Sequence, residues 1–394
     1  MTSQFEYSST LNSEEIEQLK GILAQCFGTS ITNVEPYYKL IGINNFRIVR
    51  QGGKVIGGLA IYNMGQWYGG SSVPMAGIAA VGIAPEYRGT GAAYQLMSST
   101  IAELFSTGIP ISTLYAATQR LYRKAGYEQA GSYCVWELPI TAIERGDRPR
   151  PLHRVDPLEY QLFEEIYRQQ AKQNNGNLDR NKAIWERTVK PNIEEEETVF
   201  AYLIGDRVAL EGYIIFSQSR QNNDAIIKVW DWTLLTKAAV KRFWTLLADH
   251  SSLIDRVHWK SCEIDPLLLL LPEQKAKIFR KEHWMLRIID VVKALEKRGY
   301  PAGIETELHL EVTDEAIDSN NGRFCLKVSQ GRGEVTKGGK GELQIGIRGL
   351  ASLYTGLFTP TQLQLTGYLQ TESEALLTAK LLFCGSNPWM ADQF

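Results

Sequence analysis

The chain has 394 residues, too many for one ordinary hydrophobic core, so two or three domains are expected at roughly 100–200 residues each. An apolar content of 44%, a charged content of 22% and a net charge of −2 are typical of a soluble globular protein. This charge argues against a general binder of nucleic acids or anionic membranes. The longest strongly apolar run, residues 267–271, falls far short of the ~20 residues of a membrane span. The N-terminus lacks the pattern of a secretory signal.

The cysteines and histidines give little support for covalent or metal chemistry. Five cysteines are scattered without C-x-x-C spacing, and the five histidines are equally dispersed. Disulfide frameworks and metal centres are therefore disfavoured, and we expect a reduced, cytoplasmic protein without a metal.

The first predicted elements form an α/β succession. A helix over 11–27 begins at Asn12 or Ser13 and ends at Gly28. The further elements expected up to residue 140 are strands on both sides of the turn 51–54, a strand over 73–84, a helix over 90–105, a strand over 112–117, a helix over 119–124 and a strand over 135–138.

A charged, proline-containing linker over 142–151 precedes a second block of mixed pattern. It contains an acidic run at 194–197, which we interpret as a solvated loop. Its expected elements are helices over 158–173 and 238–249 and strands over 198–204, 209–218, 225–234 and 257–260. No glycine-rich loop precedes the second helix, so this domain is expected to resemble the first without a phosphate site.

The remaining residues predict an α+β domain with an extended tail. We expect a helix over 286–298 that ends at Gly299, strands over 305–312, 322–329 and 341–347, and a helix over 371–383. The aromatic tail, residues 384–394, is expected to dock. The predicted domains are 1–145, 146–284 and 285–394.

Residues 77–97 combine an apolar strand, a glycine-interrupted turn and an amphipathic helix. Small residues let backbone N–H groups approach a pyrophosphate, and the helix N-terminus adds partial positive charge. Ala92 and Ala93 stand where a Walker motif needs lysine and a hydroxyl residue, which disfavours a phosphoryl-transfer enzyme. The pair Gly89 and Gly91 gives only half of a dinucleotide fingerprint.

The loop resembles motif A of the GNAT acyltransferases, R-x-x-G-x-A, matched here by Arg88, Gly91 and Ala93. In that superfamily the loop amides hold the pyrophosphate of acetyl-CoA. Acetyl transfer from a thioester to an amine requires a proton for the departing thiolate, whose ordinary pKa is near ~8.5. A phenol keeps its proton to about pH 10, and Tyr122 stands where these enzymes commonly place that acid. Tyr127, by contrast, is predicted to be a packing residue.

Three features together resemble the enhanced intracellular survival (Eis) type of acetyltransferase. They are the A-V-G-I-A-P-E-Y-R strand and loop, the L-Y-R-K-A-G-Y-E segment, and an aromatic C-terminus after two further domains. The resemblance implies a mixed α/β (α+β) architecture with two tandem GNAT-like domains, the second degenerate, and a domain similar to sterol carrier proteins. It covers essentially the whole chain and further implies a homo-oligomer, up to a hexamer.

The resemblance also assigns roles by motif position. The backbone of Val81, Gly82 and Ile83 would pair with the pantetheine arm, and Ala117 and Thr118 would line the cofactor channel before Tyr122. The residues that would surround the pyrophosphate are Gly89, Thr90, Gly91, Ala92, Ala93 and Tyr94, with Arg88 beside them. The α-carboxylate of Phe394 would enter the active site as proton acceptor.

The chain departs from its relatives at two points. Arg88 is the single arginine of a loop that often carries two or three, so cofactor binding is expected to rely on backbone amides. Asp392 is the only acidic side chain at the end of the tail, which is expected to lessen attraction for polycations such as aminoglycosides.

The sequence therefore predicts an acetyl-CoA-dependent N-acetyltransferase that acts on an aminoglycoside-like, polyamine or lysine amine by direct transfer in a ternary complex. Protein or peptide lysine acetylation is the enzymatic alternative. A non-catalytic CoA- or lipid-binding protein is the alternative of another class. The pair Trp230 and Trp232 around Asp231 is interpreted as strand packing rather than a ligand wall.

Overall fold

A computed structural model describes residues 4–156, 158–190, 198–221 and 224–394. The predicted acidic loop at 194–197 lies outside these residues. The chain divides into two compact units. The first comprises Met1–Ala130, His283–Gly385 and Gln393–Phe394, and the second comprises Gly131–Glu282 and Ser386–Asp392. Among the described residues, no helix combines the length and the apolarity that crossing a membrane requires.

The elements follow one another in three groups. The first group is β1 (Glu6–Ser8), α1 (Ser13–Phe27), α2 (Ile31–Ile41), β2 (Phe46–Gln51), β3 (Lys54–Tyr68), β4 (Ser71–Ile83), α3 (Ala92–Ser106), β5 (Ile111–Tyr115) and α4 (Gln119–Lys124). The second is β6 (Glu128–Pro139), β7 (Leu152–Val155), α5 (Gln161–Ala171), β8 (Leu178–Asp179), α6 (Lys182–Val189), β9 (Val199–Asp206), β10 (Ala209–Gln221), β11 (Asp224–Leu234), α7 (Lys237–Ala248), β12 (Arg256–Ser261) and β13 (Lys277–Ile288). The third is α8 (Val291–Lys297), β14 (Thr306–Thr313), β15 (Gly322–Ser329), β16 (Arg332–Lys337), β17 (Leu343–Gly346), α9 (Ile347–Thr355), α10 (Pro360–Leu365), β18 (Leu369–Thr371) and α11 (Ser373–Leu382).

The first helix shows how local chemistry sets an element's bounds. Asn12 accepts a hydrogen bond from the Glu15 amide, and the Glu15 side chain accepts one from the Asn12 amide, which completes a capping box. Gly28 ends the helix in the left-handed conformation, with φ of 64°. Both predicted caps are confirmed.

The first unit contains a sheet in the order β1, β2, β3, β4, β5, followed by the last residues of β13. Its neighbours are antiparallel except β4 and β5, which run parallel through the crossover helix α3. Helix α1 packs against this sheet at Gly82, where a Cβ atom would lie 2.8 Å from a Leu23 methyl carbon. The apolar face of α3 fills the core beside β4, where Leu96, Met97 and Ile101 are buried.

The second unit repeats this arrangement. Its sheet runs β6, β12, β11, β10, β9, β7, and again one central pair, β11 and β12, is parallel and joined by a helix, α7. Its core contains Trp136 and Trp259, whose rings stack with centroids 6.2 Å apart. Residues 143–149, within the predicted linker, have no regular secondary structure.

The third group of elements forms a separate sheet in the order β16, β15, β14, β17, β18, with α8 to α11 around it. The prediction of a helix over 286–298 is wrong at its start, because residues 286–288 end strand β13 and the helix begins only at Val291. Residues 284–289 are all buried, which is typical of a central strand, and Asp290 caps the following helix through the Lys293 amide. The amphipathic pattern therefore belonged to a strand and a short helix in succession.

Candidate active site

The edge of strand β4 that faces β5 has no strand partner beyond the point where the two strands diverge. The parallel register between β4 and β5 ends at Ile78 opposite Leu114, whereas β4 continues to Ile83 and stays paired with β3 on its other side. An irregular register between residues 79 and 82 accompanies the divergence, and Ala80 there adopts a positive φ of 50°. Residues 81–83 thus lie beyond the pairing with β5, on a strand edge of the kind to which an extended ligand can add.

The loop after β4 leads into the N-terminus of α3. Gly89 and Gly91 adopt positive φ angles of 77° and 95°, and no atom lies within 4 Å of where a Cβ would stand on either residue. Helix α3 begins after Gly91 without any side-chain cap. Its first-turn amides and its helix dipole therefore face open space, which suits an anion.

Arg88 is exposed, but part of its guanidinium is already engaged. Its Nε donates to the Ile83 carbonyl at 3.2 Å, and its Nη2 lies 3.5 Å from the Cys26 sulfur. The side chain therefore folds back toward the end of β4. Thr90 also turns inward, because its hydroxyl donates to the Tyr87 carbonyl at 2.7 Å.

Tyr122 lies on α4, whose observed bounds equal the predicted 119–124. Its side chain is buried in the same apolar cluster as Ile83 and Ala92, and Val81, Ala93 and Tyr94 pack against that cluster. Burial raises the pKa of the Tyr122 phenol to about 12, so the group keeps its proton at neutral pH. The structure thus brings the predicted acid together with the strand and helix that border the loop, while Ala117 and Thr118 stand exposed just before α4.

Tyr127 has the packing role that its position predicts. It is fully buried, and its hydroxyl forms a hydrogen bond with Ser112 at 2.8 Å. Its ring stands edge-on to Tyr122 at a centroid distance of 6.2 Å. Tyr127 therefore supports the position of Tyr122 from the core side.

The last two residues group with the first unit. The Phe394 ring approaches Tyr62 and Tyr115, with centroid distances of 5.9 and 6.0 Å. Gly77 makes room for it, because a Cβ there would lie 2.7 Å from Phe394 Cε2. The docked ring places the chain terminus beside Tyr115, the last residue of β5.

Residues 386–392 are held within the second unit. Arg180 pairs with both oxygens of Asp231, at 2.6 and 2.9 Å, and donates through Nε to Asp392 at 3.1 Å. The Asp392 carboxylate is therefore buried and ion-paired with Arg180. Asn177 holds the same segment by donating to the Trp389 carbonyl at 2.8 Å.

The aromatic pair around Asp231 packs as predicted. Trp232 is buried and donates its indole N–H to the Lys260 carbonyl at 2.8 Å, and the Trp389 ring stacks on it. Trp230 donates to the Ser217 hydroxyl at 2.9 Å.

Sequence reasoning missed Arg180 and Cys26. Arg180 looked like an ordinary charged residue between Asp179 and Asn181, and only its burial reveals its role. Cys26 lies behind the loop, with its sulfur 3.4 Å from the Ile83 carbonyl. The one local signal near Arg180 in the sequence was its position just before Asn181, which caps helix α6.

Comparison with known proteins identifies the family. Family models of the acetyltransferase (GNAT) domain match residues 8–130 and 176–288, and a model of the sterol carrier protein domain matches residues 291–391. The crystal structure of a GCN5-related N-acetyltransferase from Anabaena variabilis is 55% identical to this chain, with a TM-score of 0.96, and the match covers 99% of this chain and 100% of that one.

Two curated relatives are more distant. An uncharacterized N-acetyltransferase from Streptomyces griseus is 28% identical over 349 residues, which is 83% of each chain. The N-acetyltransferase Eis from Mycobacterium tuberculosis is 28% identical over 324 residues, 77% of this chain and 76% of the relative.

The chain belongs to the GCN5-related N-acetyltransferases and is an enzyme of the Eis type. The predicted order of two GNAT domains and a sterol-carrier-like domain is confirmed. GNAT acetyltransferases use acetyl-CoA as the acyl donor.

Proposed function

We propose that this enzyme transfers the acetyl group of acetyl-CoA directly to a primary amine in a ternary complex. The observation that carries the proposal is the open edge of β4 beyond Ile78, which leads to the uncapped N-terminus of α3. The backbone of residues 81–83 would pair with the amides of pantetheine. The loop around Gly89 and Gly91 would hold the pyrophosphate, while Ala117 and Thr118 border the channel.

Tyr122 is the proposed general acid. The amine nitrogen attacks the thioester carbonyl carbon, the C–S bond breaks as the tetrahedral intermediate collapses, and the thiolate takes the phenolic proton. Burial raises the pKa of the Tyr122 phenol to about 12, so Tyr122 still has its proton at neutral pH when the thiolate forms. The resulting phenolate is reprotonated from solvent after the product leaves.

The α-carboxylate of Phe394 is the proposed acceptor of the proton that the amine releases. A carboxylate with a pKa near ~3.5 is a weak base toward an ammonium with a pKa near ~10, so we propose electrostatic capture of the ammonium and relay through water. Support comes from the docked Phe394 ring between Tyr62 and Tyr115, which fixes the terminus. Proximity of the two substrates contributes the remaining acceleration, worth ~7 kcal/mol or more.

The proposed acceptors are an aminoglycoside-like amine, a polyamine or a lysine side chain. Because Asp392 is paired with Arg180, the terminal carboxylate is the tail's anion that remains for a cationic substrate. We therefore expect acceptors with one well-placed ammonium group to outperform strongly polycationic ones.

An amine panel tests the proposal. Aminoglycosides, polyamines and lysine peptides are offered with acetyl-CoA, and CoA thiol release is recorded over a matrix of both substrate concentrations. Direct transfer predicts intersecting double-reciprocal lines and an acetylated amine of the expected mass. Parallel lines would contradict the ternary complex, and CoA binding without acetylation of any amine would favour a silent binding protein.

We also propose that the enzyme assembles into a homo-oligomer of up to six copies, on the strength of the Eis resemblance alone. Light scattering tests this directly. A particle mass near the 44.4 kDa of one chain would contradict it.

A further inference from the structure

Three potential metal ligands meet on the outer face of the sheet that contains β14 and β15. His309 on β14 stands opposite Cys325 on β15 in the antiparallel register, and Glu307 precedes His309 by two residues on the same face. Their neighbours Leu308 and Leu310 point the other way, into the core. One ligand atom from each of the three side chains lies within 4.8 Å of the other two.

The ring nitrogens of His309 are not fully hydrogen-bonded by the described residues around them. Its Nδ1 atom is buried and has no hydrogen-bond partner among the residues that the structure describes. Its Nε2 atom lies 3.9 Å from a Glu307 oxygen, too far for a hydrogen bond. A buried ring nitrogen in this state is unfavourable unless a further group binds it.

The loop backbone at Gly339 packs closely against these side chains. A Cβ atom on Gly339 would lie 2.6 Å from His309 Nδ1 and 3.5 Å from Cys325 Cβ, so only glycine fits between the loop and the pair. The positive φ of 103° at this residue also favours glycine. The loop backbone therefore approaches the His309 imidazole directly.

The donor set has a defined chemical preference. Thiolate, imidazole and carboxylate together are typical ligands of zinc, which binds them at about 2.0–2.3 Å in tetrahedral geometry. Such distances require ligand atoms roughly 3.3–3.8 Å apart. The strand ladder fixes the Cα positions, so the binding of an ion would require the Cys325 and Glu307 side chains to rotate and bring the ligand atoms about an ångström closer.

We infer that His309, Cys325 and Glu307 form a binding site for a zinc-like divalent cation. Two anionic ligands, the carboxylate and the thiolate formed on binding, balance the charge of the ion. Three protein ligands leave the fourth position to water. Glu307 and His309 also line a cavity of 630 Å³ between this sheet and the start of α11, which gives an ion a path of entry. The site lies outside the proposed acetyl-transfer machinery, so its test does not depend on activity.

Metal binding by the full chain tests the inference. The purified protein is stripped with a chelator, and Zn²⁺ affinity is measured by competition with a chromophoric indicator. Co²⁺ then serves as a spectroscopic probe, because a thiolate ligand gives a charge-transfer absorption. We expect one Zn²⁺ per chain and a thiolate-to-cobalt band.

Variants assign the ligands. Cys325→Ser and His309→Ala should each weaken Zn²⁺ binding at least about tenfold, and Cys325→Ser should abolish the charge-transfer band. Glu307→Gln should weaken binding while keeping the band. The matched control is Cys384→Ser, which removes an exposed cysteine of the same group of elements and should leave both readouts unchanged.

Two results would overturn the inference. One is the absence of stoichiometric Zn²⁺ binding in the wild-type protein. The other is a charge-transfer band and a Zn²⁺ affinity that survive in Cys325→Ser. Cys325 is only half-buried, so its serine variant should fold, and an unchanged circular dichroism spectrum verifies this.

Discussion

The two acetyltransferase domains share one topology but differ where a cofactor would bind. In the first, residues 84–91 connect β4 to α3, whereas in the second only residues 235–236 connect β11 to α7. Gly91 leaves the start of α3 uncapped, but Thr236 accepts a hydrogen bond from the Ala239 amide at 3.1 Å and donates to Glu211. In the second domain, the Thr236 side chain therefore binds an amide at the N-terminus of α7. In the first domain, no side chain caps the N-terminus of α3, which leaves its amides to an anion.

The space beyond the last pair of the two parallel strands is likewise open in the first domain and closed in the second. The last parallel pairs are Ile78 with Leu114 in the first domain and Val229 with Trp259 in the second. Three residues beyond, Val81 leaves the first cleft open, whereas Trp232 closes the second by bonding to the Lys260 carbonyl. In the second domain an aromatic side chain therefore stands at the position where the first domain has Val81.

Arg180→Met should give the largest effect, because it removes the guanidinium that pairs with the buried carboxylates of Asp231 and Asp392. Removal of one partner from a buried ion network costs about 3–5 kcal/mol of unfolding free energy. Urea unfolding followed by tryptophan fluorescence measures it. The control Arg168→Met breaks an exposed pair with Glu165 and should change the midpoint little. Equal midpoints for both variants would show that the buried network does not stabilise the second unit.

Gly91→Val should weaken CoA binding at least about tenfold. The left-handed conformation at this position costs a side-chain-bearing residue about 1–2 kcal/mol, and the added carbons would occupy the open space before α3. Isothermal titration with CoA measures the loss. Gly303→Val is the control, because Gly303 lies in an open turn without a positive φ. Wild-type affinity in Gly91→Val would place the pyrophosphate elsewhere.

Thr236→Ala should lower the stability of the second domain by about 1 kcal/mol through loss of the helix cap. CoA affinity should not change, since the proposed site belongs to the first domain. Thr236→Ser keeps the hydroxyl and should behave as wild type in urea unfolding. A second CoA equivalent bound by Thr236→Ala would mean that the cap alone separates the two domains.

Arg88→Ala should have the smallest effect, about a twofold to fivefold rise in the CoA dissociation constant. An exposed charge contributes little, and the Arg88 guanidinium is partly engaged with the Ile83 carbonyl. Arg120→Ala removes a comparably exposed arginine from α4 and serves as the reference. A loss as large as that in Gly91→Val would show that the arginine, not the backbone, dominates phosphate binding.

Local patterns predicted much of the first domain. The Asn12 cap, the Gly28 terminus and the bounds of α4 follow from residues that lie next to one another in the chain. The interpretation of 286–298 as one helix failed because pairing with β5 decides the structure of residues 284–288. The residues next to 284–288 in the sequence do not indicate that these residues pair with β5.

Pairings between polar residues that are far apart in the sequence could likewise not be predicted from it. Arg180 and Asp392 are more than two hundred positions apart, and their ion pair appears only after the tail has docked. His309 and Cys325 become neighbours through strand register, so no metal-ligand spacing marks them in the sequence. The loop around Gly91 was recognisable because a single strand, turn and helix build it.

The turnover number of Tyr122→Phe at saturating acetyl-CoA and cognate amine tests the central claim most directly, with the chain lacking Phe394 measured in parallel. Both variants should retain CoA affinity, because neither change touches the loop or the open edge of β4. The account predicts that each lowers turnover at least about tenfold, since the thiolate loses its proton donor or the ammonium its acceptor. Full turnover in both variants would contradict a mechanism that uses Tyr122 as acid and the terminal carboxylate as proton acceptor.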